Sequence, residues 1–200
     1  VIHAAWLNQA RIQARIALRN GAGGIFLISH GTMNSRELAN VYLRLRSEKD
    51  LVRAWIGVNY LGVSSSDTLQ SLSPASLNGI WTDGVPNTPL STNALRFCGI
   101  RFKHQEHLPL EKEVERVVAH ADVAVTSGRA TGAAPVVDDV TEIRDALQGR
   151  LPLAVASGMT PENIREFRDH ADCFMVATGI SKSFTELDPD RVRRFASLVG

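Results

Sequence analysis

Apolar positions along this chain fall into short runs separated by stretches of helical period. Val1–His3, Gly24–Ser29, Ala54–Tyr60, Ile80–Asp83, Cys98–Phe102, Val123–Thr126, Pro152–Ala156 and Cys173–Ala177 read as strands. Gln9–Asn20 reads as an amphipathic helix, as does the segment after Asn34, with Leu38, Val41, Tyr42 and Leu45 on one face. Leu110–Ala121, Asp138–Leu147, a segment carrying Ile164, Phe167 and Ala171, and one opening at Asp188-Pro189 continue the alternation. Asn34-Ser35-Arg36-Glu37 has the form of a capping box, Thr160-Pro161-Glu162-Asn163 that of a helix start, and Gly149 that of a C-cap. Val63–Ser76 and Val85–Ala94, rich in Ser, Pro, Asn and Thr, predict short or irregular helices.

Near-continuous apolar strands alternating with helices predict an α/β protein with a parallel sheet and helices outside. Eight such units favour closure into a compact (β/α)8 TIM barrel, one domain over residues 1–200, at the short end for that fold.

Composition narrows the partners. The chain is 44% hydrophobic and 22% charged, with 22 basic and 21 acidic residues and a net charge of +1. No basic stripe stands out, so nucleic acid is not expected as a partner. The longest apolar runs have strand length, which predicts no transmembrane segment and a cytoplasmic location. Cys98 and Cys173 both fall in strands and read as buried, inert thiols. No Walker A loop, His-Glu-x-x-His, Gly-x-Ser-x-Gly or paired Cys-x-x-Cys occurs, which argues against those enzyme classes. The sequence names no cofactor and no metal site.

In such barrels the active site lies at the C-terminal ends of the strands. The last two strand ends are Ala156-Ser157-Gly158 and Ala177-Thr178-Gly179. Loops in these positions commonly hold phosphate on backbone N–H groups. Ser157, Gly158, Gly179, Ile180 and Ser181 are therefore candidate phosphate contacts, with Lys182 nearby as an added charge. Asp83, Lys103 and His30 close three other strands and are the candidate catalytic groups: a carboxylate base, a lysine base or clamp, and an imidazole near neutrality. Asn59, His104, Ser127, Arg129 and Thr131 are candidate ligand contacts; His3 and Thr126 also close apolar runs. Each has a plainer reading. Asp83-Gly84 is a common turn, Lys103 suits a surface stem, and Gly128–Gly132 suits a solvent loop.

Val125-Thr126-Ser127-Gly128-Arg129-Ala130-Thr131-Gly132, Ser157-Gly158-Met159-Thr160-Pro161-Glu162-Asn163 and Ala177-Thr178-Gly179-Ile180-Ser181-Lys182 together resemble the BtpA family, also called BtpA/SgcQ. Phe102-Lys103-His104 and Gly57-Val58-Asn59 resemble that family's Val-Lys-His and Gly-Val-Asn strand ends. The likeness is strongest from about residue 97 onward. It implies a TIM-like barrel of the ribulose-phosphate-binding type. One branch of the family is linked to photosystem I accumulation in cyanobacteria; others sit near sugar or nucleoside metabolism. Two family features are replaced here. Ala4-Ala5-Trp6-Leu7-Asn8 stands for a Pro/Gly-rich first loop, and Ile28-Ser29-His30-Gly31 for an acidic Glu-Asn strand end.

The expectation is a barrel that binds a phosphorylated sugar or nucleotide-like small molecule, with isomerase, lyase or glycosyl-transfer chemistry open. The alternative is a non-catalytic assembly or regulatory factor that uses the barrel as an interaction surface. Self-association into a homo-oligomer is compatible with both.

Overall fold

The computed structural model of the chain describes residues 1–29, 31, 33–60, 77–86, 92–103 and 108–200. Eight strands follow in chain order: β1 Ile2–His3, β2 Ile25–Ser29, β3 Ile56–Tyr60, β4 Gly79–Thr82, β5 Leu95–Gly99, β6 Val123–Ser127, β7 Leu153–Ala156 and β8 Cys173–Met175. They form one sheet in which every neighbouring pair is parallel. The sheet curls so that Val1 N donates to Val176 O at 2.5 Å across the seam between its two ends. Helices α1 Leu7–Arg19, α2 Ser35–Arg46, α3 Leu110–His120, α4 Val137–Leu147, α5 Ile164–Phe167 and α6 Pro189–Val199 are described between and after the strands. The architecture is the expected α/β TIM-type barrel. The expected irregular stretches lie largely outside the described residues. Among the described residues no helix is long and apolar enough to cross a membrane.

Local chemistry sets the helix ends. Asn34 Oδ1 accepts from Glu37 N at 3.0 Å, and Glu37 Oε2 accepts from Asn34 N at 2.8 Å. Asp188 Oδ1 accepts from Asp190 N and Arg191 N, with Pro189 in the first turn of α6. Helix α4 ends on Gln148 at φ 52°, one position before the expected glycine. Strand β5 begins and ends earlier than Cys98–Phe102, because Arg101 takes φ 46° and turns the chain beyond Gly99. The polar Arg96 is accommodated in β5 by a two-point ion pair with Asp122, at 2.9 Å for each contact.

Side chains alternate between two cores. Leu27, Ile56, Val58, Ile80 and Val155 face the helices, against Leu38, Tyr42, Val114, Ile143 and Phe167. Phe26, Ile28, Trp81, Phe97, Ala154 and Met175 fill the lumen together with Phe102 from the loop after β5. The lumen is lopsided. Phe26 meets Trp55 and Phe97 edge-on, each at 5.0 Å, and Trp81 at 5.8 Å. These rings pass where Gly57 and Gly79 carry no side chain. A Cβ on Gly57 would lie 2.3 Å from the Phe26 ring, and one on Gly79 would lie 2.6 Å from the Trp55 ring. On the opposite wall β7 contributes only Ala154 and Ala156.

At the lower rim one device recurs. The residue just before an even-numbered strand accepts from a backbone N–H at the start of the preceding odd strand. Asn78 Oδ1 takes Ile56 N at 3.0 Å, Asp122 Oδ2 takes Arg96 N at 2.8 Å, and Asp172 Oδ2 takes Leu153 N at 2.9 Å. Hydrogen bonds from Arg96 hold the Asp122 carboxyl below the usual carboxylate range.

Candidate functional site at the barrel mouth

The C-terminal ends of the strands open into a cavity of about 250 Å³. Its floor is Ile28, Trp81, Phe102 and Met175; its rim is His3, Asp83, Lys103, Thr131, Gly132, Ser157 and Thr178. The volume falls a little below the roughly 300–1,000 Å³ of drug-sized ligand sites, so a small molecule fits best.

Two charged groups face this space with support behind them. Asn59, only 2% exposed on β3, directs Nδ2 toward Asp83 Oδ1 at 3.4 Å. Lys103 donates from Nζ to Thr131 Oγ1 at 2.9 Å, and from its backbone N–H to Ser127 Oγ at 3.2 Å. Ser127 Oγ also donates to Gly128 O at 3.1 Å. Through Lys103 N the Ser127 hydroxyl ties the loop after β5 to β6. The Lys103 ammonium also stands 6.0 Å from the centroid of the Phe102 ring.

The loops after β6, β7 and β8 interlock. Ser157 is a left-handed non-glycine residue at φ 77°, followed by Gly158 at φ 68°. A non-glycine residue held there costs about 1–3 kcal/mol and persists only where its surroundings dictate it. A Cβ on Gly158 would come 2.0 Å from Ala134 N, so the loop after β6 lies directly on this glycine. A Cβ on Gly179 would come 2.0 Å from Met159 O. Asn163 fixes the turn from below: its Nδ2 donates to Gly158 O at 2.9 Å and its Oδ1 accepts from Thr160 N at 2.9 Å. Thr160 Oγ1 accepts in return from Glu162 N and Asn163 N. The amide N–H groups of Gly158 and Gly179 have no acceptor among the described residues. Those of Ile180 and Ser181 are engaged in the 3₁₀ turn Thr178–Ile180, donating to Ala177 O and Thr178 O. Ser181 Oγ also donates to Ala177 O at 2.8 Å.

After that turn the chain forms an antiparallel hairpin, β9 Ser181–Ser183 with β10 Glu186–Leu187, before α6. Its tip residue Phe184 stacks on His3 with ring centroids 4.1 Å apart, and His3 Nδ1 lies 3.0 Å from Phe184 O. A carbonyl only accepts, so Nδ1 carries a proton in this contact.

Asp83, Lys103, Thr131 and Ser157 thus share one cavity, with Asn59 and Ser127 behind the first two. Gly158 and Gly179 sit in the loops that close one side of it. Arg129 is exposed and does not line it, and Lys182 lies exposed on β9. His30 and His104 fall outside the described residues. Sequence reasoning passed over Trp81 and Thr178 as contacts, gave Gly132 only as part of the Gly128–Gly132 loop, and named His3 only as a strand end. Strand period was the available signal: Trp81 and Asp83 are two apart and so face the same side. Among the described residues no group of three or more His, Cys, Asp or Glu side chains gathers as a metal site.

Solved structures of similar fold include three proteins whose names carry a phosphate group. Thiamine phosphate pyrophosphorylase from Pyrococcus furiosus superposes with a TM-score of 0.66 at 16% identity, covering 96% of this chain and 90% of that one. N-(5'-phosphoribosyl)anthranilate isomerase from Pyrococcus furiosus gives 0.64 at 12%, covering 98% and 94%. (S)-3-O-geranylgeranylglyceryl phosphate synthase from Thermoplasma acidophilum, in complex with sn-glycerol-1-phosphate, gives 0.60 at 14%, covering 97% and 88%. At these identities the likeness establishes the fold. No curated protein matches the chain in sequence. The BtpA family model matches residues 89–200, more than half of the chain and the part that supplies Lys103 and the interlocked loops, so the chain belongs to the BtpA family.

Proposed function

We propose that this barrel is an enzyme that binds a phosphorylated small molecule in its mouth. The phosphate rests against the loops after β6, β7 and β8, near Gly132, Ser157, Thr178 and the amides of Gly158 and Gly179. The reacting end lies toward Asp83, with Lys103 between it and the phosphate, bonded to Thr131 of the loop after β6. One observation carries the reading: a single cavity is lined by Asp83, by Lys103, and by Gly132, Ser157 and Thr178 of the loops after β6, β7 and β8. Phosphate groups in the named ligands or products of the structural neighbours support it.

The chemistry follows from position. Lys103, hydrogen-bonded to Thr131, stands next to the loop after β6 and offers a phosphate a point charge. Asp83, steadied by Asn59, is placed to take a proton from a ligand hydroxyl or carbon acid. Such a pair suits isomerase or lyase chemistry.

Calorimetric titration with inorganic phosphate tests the reading. Thr178→Glu puts a negative charge on the exposed rim without touching the core. Binding to the wild type and loss of at least about tenfold in the variant, the scale of one charge-assisted contact, are expected. Wild-type protein that ignores phosphate up to millimolar concentrations refutes the site.

A further inference from the structure

We infer that Glu113, on the outer helix α3, is a positioning residue for Lys103: its bond to the backbone of Arg101 sets where the ammonium stands, and so how tightly phosphate is held. This rests on the proposed phosphate site and concerns what lies behind it.

Strand period fixes where Phe102 and Lys103 would go if β5 ran on straight. Phe97 faces the lumen, whereas Cys98 and Ile100 face the helices. A straight strand would therefore turn Phe102 outward with Cys98 and Ile100, and carry Lys103 onward past the rim. The chain does otherwise. Arg101 takes φ 46°, Phe102 enters the lumen at 1% exposure, and the Lys103 ammonium stands 6.0 Å from the centroid of its ring. The left-handed residue reverses the phase of the strand at this point. A non-glycine residue in that region is strained and persists only where its surroundings dictate it.

Three hydrogen bonds hold the turn. Ile100 N donates to Val125 O at 2.9 Å and Lys103 N to Ser127 Oγ at 3.2 Å, both on β6. Between them Arg101 N donates to Glu113 Oε2 at 2.9 Å. A carboxylate is the strongest acceptor of the three, and it falls on the strained residue itself. Oε1 of Glu113 exposes less than 1 Å², so the carboxylate is sheltered from water where it meets the chain. Val114 and Val117, both buried, pack α3 into the outer core and make Glu113 a firm mount. On the other side the turn is pressed close: a Cβ on Gly99 would lie 1.9 Å from Asp83 O and 2.9 Å from Phe102 Cβ.

The experiment is a double-mutant cycle read by calorimetry with inorganic phosphate. E113M removes the acceptor and keeps a helix-forming stem. E113Q keeps an oxygen that accepts from Arg101 N and removes the charge. K103M and E113M/K103M complete the set. E113M is expected to weaken phosphate binding about fivefold or more, the worth of one hydrogen bond. E113Q should stay within about twofold of wild type, and E113M/K103M within about twofold of K103M, because a residue that acts through Lys103 then has nothing left to move. A contribution of the Glu113 charge to the start of α3 would be lost in E113M and E113Q alike, so the contrast between them isolates the bond. Equal affinity of E113M and wild type overturns the inference. So does E113Q as weak as E113M, or a second loss when E113M is added to K103M. Should E113M fail to melt cooperatively, E113A replaces it in the cycle; failure of both to fold assigns Glu113 to stability alone and overturns the inference. Wild-type protein that binds no phosphate overturns the phosphate site itself, and this inference with it.

Discussion

The two rims of the barrel use their polar side chains in opposite ways. At the lower rim Asn78, Asp122 and Asp172 each turn inward on the protein, accepting a backbone N–H from the start of the preceding odd strand. At the mouth, Lys103 and Asp83 edge a cavity, and among the described residues the amides of Gly158 and Gly179 have no acceptor and the buried Trp81 indole N–H has no hydrogen-bond partner. One end joins strands; the other lines a cavity, with Asn59, Ser127 and Asn163 bonded behind its lining. Changes at the lower rim should therefore spare ligand affinity, and changes at the mouth should not.

The most severe test is Gly158→Asp. The residue would sit at φ 68° with its Cβ 2.0 Å from Ala134 N, so the loops after β6 and β7 must part. A stability loss of about 3 kcal/mol is expected in chemical denaturation, together with loss of phosphate binding. Full stability would mean that the interlock is not needed. Next comes Lys103→Met, which removes the charge and keeps the stem. Phosphate affinity should fall about tenfold or more while Tm changes by no more than a few degrees. A large drop in Tm with unaltered affinity would assign Lys103 to structure alone.

Asp122→Asn probes the lower rim. Its folded-state pKa is depressed by Arg96, so its contribution is complete above the unfolded value of about 3.9 and is lost as pH falls through the lower folded value. The variant should lose about 1 kcal/mol at pH 7, a figure kept small because the carboxylate is partly exposed and screened. The gap to wild type should close on acidification below about pH 4, with ligand affinity unchanged throughout. A gap independent of pH would remove the ion pair as its cause. The smallest effect is Ser157→Gly, which relieves a left-handed serine at φ 77°. A gain of about 0.5–1 kcal/mol is expected, read by thermal melting. A clear loss would mean that the Ser157 side chain outweighs the strain of its backbone.

What the sequence made legible was local. The Asn34 capping box and the Asp188-Pro189 start are built from residues within a few positions of one another, and both form as their patterns predict. Thr160 caps a turn instead, its Oγ1 accepting from Asn163 N, and the helix begins only at Ile164. Strand β5 runs Leu95–Gly99 rather than Cys98–Phe102: Arg96 near its start pairs with Asp122, 26 residues away, and Arg101 turns the chain beyond its end, neither of which a local pattern supplies. Ile180 and Ser181 read as amide donors after a glycine, yet a 3₁₀ turn engages both N–H groups, a choice of local geometry that residue identity does not fix. Trp81 shows the same limit at the site. Its position was legible from strand period, but whether an indole N–H finds a partner depends on side chains brought from other strands.

The empty space at Gly57 and the Phe26 ring that occupies it are one shape divided between two positions. Neither can evolve alone. Gly57→Ala should fail in the present background and be rescued when Phe26 is shortened to Leu, so among descendants of this chain the two positions should change in concert, as a lock is recut with its key.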